Sequence, residues 1–437
     1  MSEADQVSSQ CKDLLGRRRF RILLSAFAFD TVGGSEAGLG WQIAKRLSLH
    51  HDVTVIFGNL GATDVHARLD RLQSACANNP NLSLCFVDGD AFSTWLARWS
   101  GFPGLWWLYY KAYRRWQRLA LRKARGLHAH SPFDLAHHLN FISYREPGEL
   151  WKLGIPFFWG PITGAPMVPL PFLQQFHLAQ FYRWGSRNLV NWFQMRLSKS
   201  CKRAAAKAST IWTVSKEDSR MVETFWGGNA EPLLETGCEI SDKQAPRSRQ
   251  SHEPLKIIWS GRFDSIKVLP VVLDALANLR EYPVEIDIIG DGPERTHWKA
   301  HANKLNLGDR IFWHGMVPRG RALGIMSQGH VFCHSSVKEG TPHVVLEALS
   351  LGLPVICHDA CGMGIAVDAT CGIKVTLRDP STSVSGFSEA LRTLLNKPEM
   401  FEMLSAGALK RAAELSWESK ISAFLHAYDS CLSKRSV

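Results

Sequence analysis

The sequence predicts an α/β protein of two doubly wound parallel-sheet domains facing each other across a cleft. Three observations carry this. Short apolar runs recur at about 25-residue intervals with helical stretches between them, the pattern of βαβ units rather than hairpins. The runs end in glycine-rich turns, as strands do where they pass into a crossover. A polar stretch from Glu239 to Pro254, containing Pro246 and several Ser, Gln and Lys residues, separates two such series.

In the first series Arg21–Leu24 is a strand, and Gly33-Gly34 opens a helix from about Ser35 to Leu47. Asp52–Ile56, Leu82–Val87, Phe133–Ala136, Pro156–Trp159 and Ser209–Val214 are the further strands. In the second series Lys256–Ser260 is a strand stopped at Gly261, and Leu269, Val272, Leu276 and Leu279 fall at helical spacing behind it. Glu285–Ile289 is stopped by Gly290-Asp291-Gly292-Pro293. The strands Ile311–Trp313, His330–Cys333, Pro354–Cys357 and Ile373–Thr376 follow, with helices near Arg321–Met326 and from Pro342 to Leu351. Right-handed crossovers turn such a series into an open layered sheet. The expected organisation is a first domain at 1–240, a linker at 241–254, a second domain at 255–415 and a terminal helix at 416–437.

Composition bounds the function. Of 437 residues, 45% are hydrophobic and 21% charged, which excludes wholesale disorder. No run of eighteen uncharged apolar residues occurs, so no spanning helix is expected. The basic run Arg17-Arg18-Arg19 before apolar Phe20 to Phe29 imitates a signal peptide. Ser25 breaks the apolar part and Asp30 ends it, so it reads as a first buried strand. The ten cysteines form no C-x-x-C pair and follow no zinc spacing, which fits small buried hydrophobes in a reducing cytoplasm. The formal charge of +11 suits an anionic substrate, a nucleic acid or an acidic membrane surface, beside the plainer reading of a solvated exterior.

The sharpest chemical signal is Lys338-Glu339-Gly340-Thr341-Pro342-His343-Val344-Val345-Leu346-Glu347-Ala348. Pro342 suits the first turn of a helix and Gly352 its end. The Glu339-Gly340-Thr341 loop then lies at a helix N-terminus, where free amides and the dipole favour an anion. Glu339 and Glu347 stand eight residues apart and can reach different parts of one ligand. Gly261-Arg262-Phe263-Asp264-Ser265-Ile266-Lys267 puts two cations, Arg262 and Lys267, at the carboxyl end of a strand, the edge where open α/β sheets bind ligands. Arginine grips phosphate bidentately and lysine adds a point charge.

With these motifs in order, the chain resembles the family-4 retaining glycosyltransferases (glycosyl transferases group 1), which have the GT-B fold of two Rossmann-like domains. The resemblance covers most of 254–415, and more thinly Val32-Gly33-Gly34-Ser35-Glu36, Asp134–His137 and Ser416-Trp417-Glu418, where the family's last helix crosses back to the first domain. It implies a nucleotide-sugar donor as substrate and no cofactor. Arg262 and Lys267 would hold the donor diphosphate, Glu339 would face the sugar and Glu347 the ribose. Amides of Gly340, Thr341, Pro342–His343 and Val344 would touch sugar or phosphate. The backbone at Gly315, Met316 and Val317 would flank the base, and Gly33 and Gly34 would approach the diphosphate closely. Family members commonly carry Thr-x-His in the first domain. Here Pro156–Gly164 has no histidine, which leaves His137, in the family's Asp-x-x-His spacing, or neighbouring His138 as the first-domain catalytic candidate.

Glycosyl transfer builds positive charge on the sugar and negative charge on the departing diphosphate. The His and Asp residues of the sequence show no metal-ligand spacing. The expectation is therefore that cations and a helix dipole act where a metal acts elsewhere.

Residues 95–125 hold nine aromatics (Trp95, Trp99, Phe102, Trp106, Trp107, Tyr109, Tyr110, Tyr113 and Trp116), eight basic residues and no carboxylate. A second stretch, within 181–200, contains Phe181, Tyr182, Arg183, Trp184, Arg187, Trp192, Phe193 and Arg196. Such segments lie in membrane interfaces and are drawn to anionic lipid, or else pack their aromatics on the first domain. The membrane reading suits a lipid-linked saccharide acceptor, surface polysaccharide or lipopolysaccharide assembly, and a cytoplasmic protein peripheral to the inner membrane face. Two rivals stand beside it. One is a GT-B-type sugar-nucleotide epimerase, for which too few acid–base residues are visible. The other is a basic nucleic-acid-binding protein, for which no motif appears, so no nucleic-acid partner is expected.

Overall fold

The computed structural model describes residues 19–32, 35–61, 64–102, 104–240, 244–249 and 253–434. Two parallel sheets organise them. The first contains β1 (Arg21–Ala26), β2 (Asp52–Asn59), β3 (Leu82–Asp88), β4 (Leu135–Asn140), β5 (Phe157–Ile162), β6 (Ala208–Thr213) and β7 (Ala230–Pro232), in the order β3-β2-β1-β4-β5-β6-β7. The second contains β8 (Leu255–Ser260), β9 (Val284–Ile289), β10 (Ile311–Gly315), β11 (Val331–His334), β12 (Val355–His358) and β13 (Gly372–Val375), in the order β10-β9-β8-β11-β12-β13. Every residue of β4, β5, β11 and β12 is buried. Helices cover both faces of these sheets, which is why the strands read as continuous apolar runs rather than alternating ones.

In each sheet the chain winds one way and then the other, reversing between β1 and β4 and between β8 and β11. Such switch points open a crevice at the carboxyl ends of the strands. The helices used below are α1 (Ser35–Leu47), α2 (Trp107–His130), α3 (Leu178–Leu197), α4 (His343–Ser350) and α5 (Trp417–Ser433).

The chain crosses between lobes twice, side by side. The Cys238 amide donates to the Leu415 carbonyl at 2.8 Å. The crossings approach so closely that a Cβ on Gly237 would lie 2.6 Å from the Trp417 nitrogen, which reserves the position for glycine. After the second crossing the Ser416 hydroxyl caps α5 by accepting from the Ser419 amide. Trp417, Ile421, Phe424 and Tyr428 of α5 then pack among Ile22, Leu24, Val53 and Phe158 of the first lobe.

Two features depart from a simple division at the linker. Around the polar stretch after Glu239, Arg247 donates to the carbonyls of Ser327, Gly329 and Leu351, which holds the segment flat on the second lobe. Earlier in the chain, Val168, Phe172, Leu173 and Trp184 share one core with Leu269, Val272 and Phe387 of the second lobe. Apolar side chains followed the nearest large core, not the order of the chain. The nine cysteines among the described residues are free thiols, six of them buried.

Candidate active site

The site grows from two loops at the second lobe's switch point. After β8 the chain turns through Gly261, whose amide donates to the Ile289 carbonyl at 3.0 Å. Gly290, at φ +131°, lies so close that a Cβ there would sit 1.9 Å from the Gly261 oxygen. A short 3-10 turn, Ser265–Lys267, aims Lys267 inward. The loop after β11 is stitched to it: the Ser335 hydroxyl donates to the Lys267 carbonyl at 2.7 Å and the Val337 amide to the Ile266 carbonyl at 2.9 Å.

That stitching brings the Lys267 ammonium into direct ion-paired contact with Glu339 Oε2. The same oxygen accepts from the Ser336 hydroxyl at 3.3 Å and lies 3.6 Å from His334 Nε2. Burial alone would raise the Glu339 carboxyl, but Lys267 and His334 outweigh it and bring it down to about 2. Glu339 is thus a fixed negative charge at neutral pH.

The following residues face the first lobe. The Glu235 amide donates to Thr341 Oγ1 at 2.8 Å. A Cβ on Gly340 would lie 2.5 Å from Glu235 Oε1 and 3.5 Å from Thr163 Cγ2, so the loop passes against the first lobe without room for a side chain. Pro342 caps α4, whose first amides have no intrahelical acceptor. One turn on, Glu347 accepts from Arg319 Nε at 2.7 Å. Glu347 and His343 line a pocket of about 630 Å3 between the lobes, with Thr31, Trp41, Gln42 and Thr236 on its other wall. Val344 is half-buried beside them.

The remaining candidates are dispersed. Arg262 is exposed, and among the described residues no hydrogen bond or ion pair joins it to Lys267 or Glu339. Gly315, at φ +67°, offers its carbonyl to the Gly290 amide at 2.9 Å, and Met316 beside it is exposed. Gly33 and Gly34 lie outside the described residues.

His137 requires a correction. It is fully buried in β4, not in the cleft. Its Nε2 faces the Gly160 carbonyl at 2.7 Å and must donate there, so its Nδ1 accepts from the Tyr428 hydroxyl at 2.7 Å. Burial pushes the imidazole down to about 3. With both nitrogens engaged it ties the sheet to α5 and has no lone pair for a substrate. His138 is also buried; its Nε2 donates to the Glu146 carbonyl at 3.1 Å.

One buried group, Glu235, escaped the sequence reading, and the half-buried Lys338 entered it only as the first residue of the loop motif. Glu235 is buried, its Oε1 has no hydrogen-bond partner, and burial followed by the charge of Glu36 pushes its carboxyl up to about 8. Lys338 donates to the Pro166 carbonyl across the lobes, and burial brings its ammonium down to about 8. Glu235 sits in the plain run Leu233-Leu234-Glu235-Thr236-Gly237, where its only signal is a lone carboxylate between two leucines and a glycine turn. Among the described residues no group of three His, Cys, Asp or Glu side chains is arranged to hold a metal ion.

The aromatic segments divide. Tyr113 and Trp116 of α2 are core residues, and Trp184 of α3 is buried. Trp95, Trp99, Phe102, Trp106, Trp107, Tyr182, Trp192 and Phe193 are exposed. Among the described residues no helix is long and apolar enough to cross a membrane.

Comparison with known proteins agrees with this geometry. Residues 241–411 match the family described as Glycosyl transferases group 1. The chain is 23% identical over 298 residues to the 2-deoxystreptamine glucosyltransferase of Streptomyces kanamyceticus, covering 65% of this chain and 73% of that protein. It is 27% identical over 222 residues to the lipopolysaccharide core biosynthesis glycosyltransferase LpsD of Rhizobium meliloti, covering 50% and 60%. It is 38% identical over 168 residues to an uncharacterized glycosyltransferase of Methanocaldococcus jannaschii, covering 35% and 40%. Among solved structures, Anabaena HepE in complex with UDP superposes with a TM-score of 0.59 at 13% identity over 94% of this chain and 100% of that one. The lipopolysaccharide outer core galactosyltransferase WaaB superposes with a TM-score of 0.62 at 14% identity over 94% and 99%. At these identities the likeness is one of fold, and the fold is GT-B. The epimerase and nucleic-acid readings find no support in these matches.

Proposed function

We propose that the chain, whose residues 241–411 match the glycosyl transferases of group 1, moves a sugar from a nucleotide-sugar donor to a lipid-linked saccharide acceptor, with retention of the anomeric configuration, in surface polysaccharide or lipopolysaccharide assembly. The observation that carries this reading is the Lys267–Glu339 pair beside the N-terminus of α4. Lys267, Arg262 and the first amides of α4 supply positive potential for a departing diphosphate, and Glu339 supplies a fixed negative charge for the sugar. Glu347, at the pocket wall, is free to accept hydrogen bonds from a ribose on the side that Arg319 does not occupy. In this reading the nucleotide sugar is a substrate and no resident cofactor takes part. A uridine nucleotide is the first candidate because HepE, of the same fold, was solved with UDP. The exposed indoles of the first lobe suit work at the inner face of the cytoplasmic membrane.

The test is a thermal-shift panel of UDP-, GDP- and ADP-sugars, followed by transfer assays on Glu339→Gln. One nucleotide class should raise the melting temperature by mass action, and the variant should stay folded while transfer falls to background. A variant that turned over at the wild-type rate would remove Glu339 from the mechanism.

A further inference from the structure

A second pocket, of about 600 Å3, opens between α2 and α3 on the first lobe. Its wall is cationic. Lys111, Arg145, Arg183 and Arg187 all line it, and its one carboxylate, Glu146, is already gripped by Arg114 through hydrogen bonds of 2.8 and 3.0 Å. The four remaining cations have no carboxylate partner among the described residues. Lys111 lies 4.5 Å from the Trp107 ring centroid, and Arg183 and Arg187 flank Trp184. Arg145 is held by the neutral groups of Gln194, Asn191 and Ser143. Loss of solvent, then the charge of Arg145, lowers the basicity of Arg187. The pocket therefore concentrates positive charge that nothing within it neutralises, and such a site attracts an anion.

Its surroundings specify the anion further. The rim carries Trp106 and Trp107, 60% and 41% exposed, and Val190, so apolar surface adjoins the charge. The inner wall leads to the catalytic loop. Arg145 Nη1 lies 3.7 Å from the Cβ position of Gly164, and the preceding residue, Thr163, reaches the Cβ position of Gly340 at 3.5 Å. A ligand here would thus meet cations, then apolar rings outward and the transfer site inward.

We propose that this pocket binds the phosphoryl group that joins the acceptor's saccharide to its lipid, with Lys111, Arg183 and Arg187 as charge partners and Trp106 and Trp107 against the first carbons of the lipid. The inference rests on the glycosyltransfer reading above and adds where the acceptor lies. A concave site this close to the catalytic loop suits an acceptor phosphate better than a headgroup of the surrounding bilayer, which a convex basic face would serve.

The experiment is calorimetric titration of the full chain, its donor cleft saturated with the nucleotide that shifts its melting, using farnesyl diphosphate, farnesol and phosphatidylglycerol vesicles as separate probes. Farnesyl diphosphate should bind, farnesol at least tenfold more weakly. Arg183→Glu with Arg187→Glu should weaken farnesyl diphosphate at least tenfold, and Arg183→Lys with Arg187→Lys should stay within threefold. The proposal is overturned if the charge reversal leaves farnesyl diphosphate affinity unchanged. It is equally overturned if farnesol binds as tightly, or if only vesicles bind in a charge-dependent way. Wild-type protein that takes a nucleotide sugar but ignores farnesyl diphosphate ends this inference and leaves the function standing; protein that takes neither ends both. The lysine pair and the wild-type comparison of the two farnesyl probes keep the test decisive should the charge reversal impair folding.

Discussion

Replacing Glu235 by glutamine keeps the shape of the side chain and removes its acidity. In the folded protein its carboxyl is pushed from an ordinary 4.5 up to about 8, by burial first and then by Glu36, with Glu339 and Asp218 adding to it. The folded state therefore holds a proton between about pH 4.5 and 8 that the unfolded state has released. That proton's stabilisation is fully present below pH 4.5 and is lost as pH rises through 8. A difference of about 3.5 units, at ~1.4 kcal/mol per unit, sets an upper bound near 5 kcal/mol. The neighbouring charges relax as they titrate together, which leaves a few kcal/mol as the working figure. Glutamine is neutral at every pH and escapes this loss. Scanning fluorimetry of both proteins at matched ionic strength should give a melting-temperature difference, variant minus wild type, that grows from pH 5 to pH 8.5 by several degrees. Lys420, whose ammonium burial lowers to about 7 against the opposing charge of Glu235, stabilises in the opposite sense above that value, and the variant removes that opposing charge, so its lysine titrates lower still and adds to the difference. Parallel melting curves across the range would refute the reasoning.

Lys267→Met leaves the half-buried Glu339 carboxylate without its counter-charge. It should cost about 3 kcal/mol near pH 7, with the deficit shrinking as acid protonates the carboxyl; urea unfolding at pH 7 and pH 5 would measure both. Tyr428→Phe leaves His137 Nδ1 buried without a donor and should cost about 1–3 kcal/mol in the same assay, while the nucleotide-sugar thermal shift persists. Trp106→Ala with Trp107→Ala should release the protein from anionic liposomes in sedimentation; unchanged partition would remove those indoles from the membrane contact.

Much of the second lobe was legible because local and tertiary signals agree there. Lys256–Ser260 and Glu285–Ile289 lie within a residue of β8 and β9, and Pro342 stands where α4 begins. The pairing of Lys267 with Glu339 was implicit in two motifs at the ends of neighbouring strands. His137 misled because spacing along a strand does not say whether a residue near its end faces the crevice or the core. It is α5, contributed from 291 residues away, that closes over its Nδ1. Glu235 was illegible for a related reason: its neighbours in sequence are leucines, and the carboxylates that shift it come from other elements. The short β7 carries too little apolar sequence to announce itself.

The wedge of α5 in the first lobe has a consequence for how the polypeptide matures. Trp417, Ile421, Phe424 and Tyr428 leave the ribosome after both sheets have been made, yet they cover apolar surface of β1, β2 and β5. Synthesis ordinarily lets the leading domain finish before the next emerges. Here the first lobe must wait, its hydrophobic seam open, until α5 has been translated. A nascent chain stalled after residue 410 would carry a largely finished rear half and a front half still in need of its keystone.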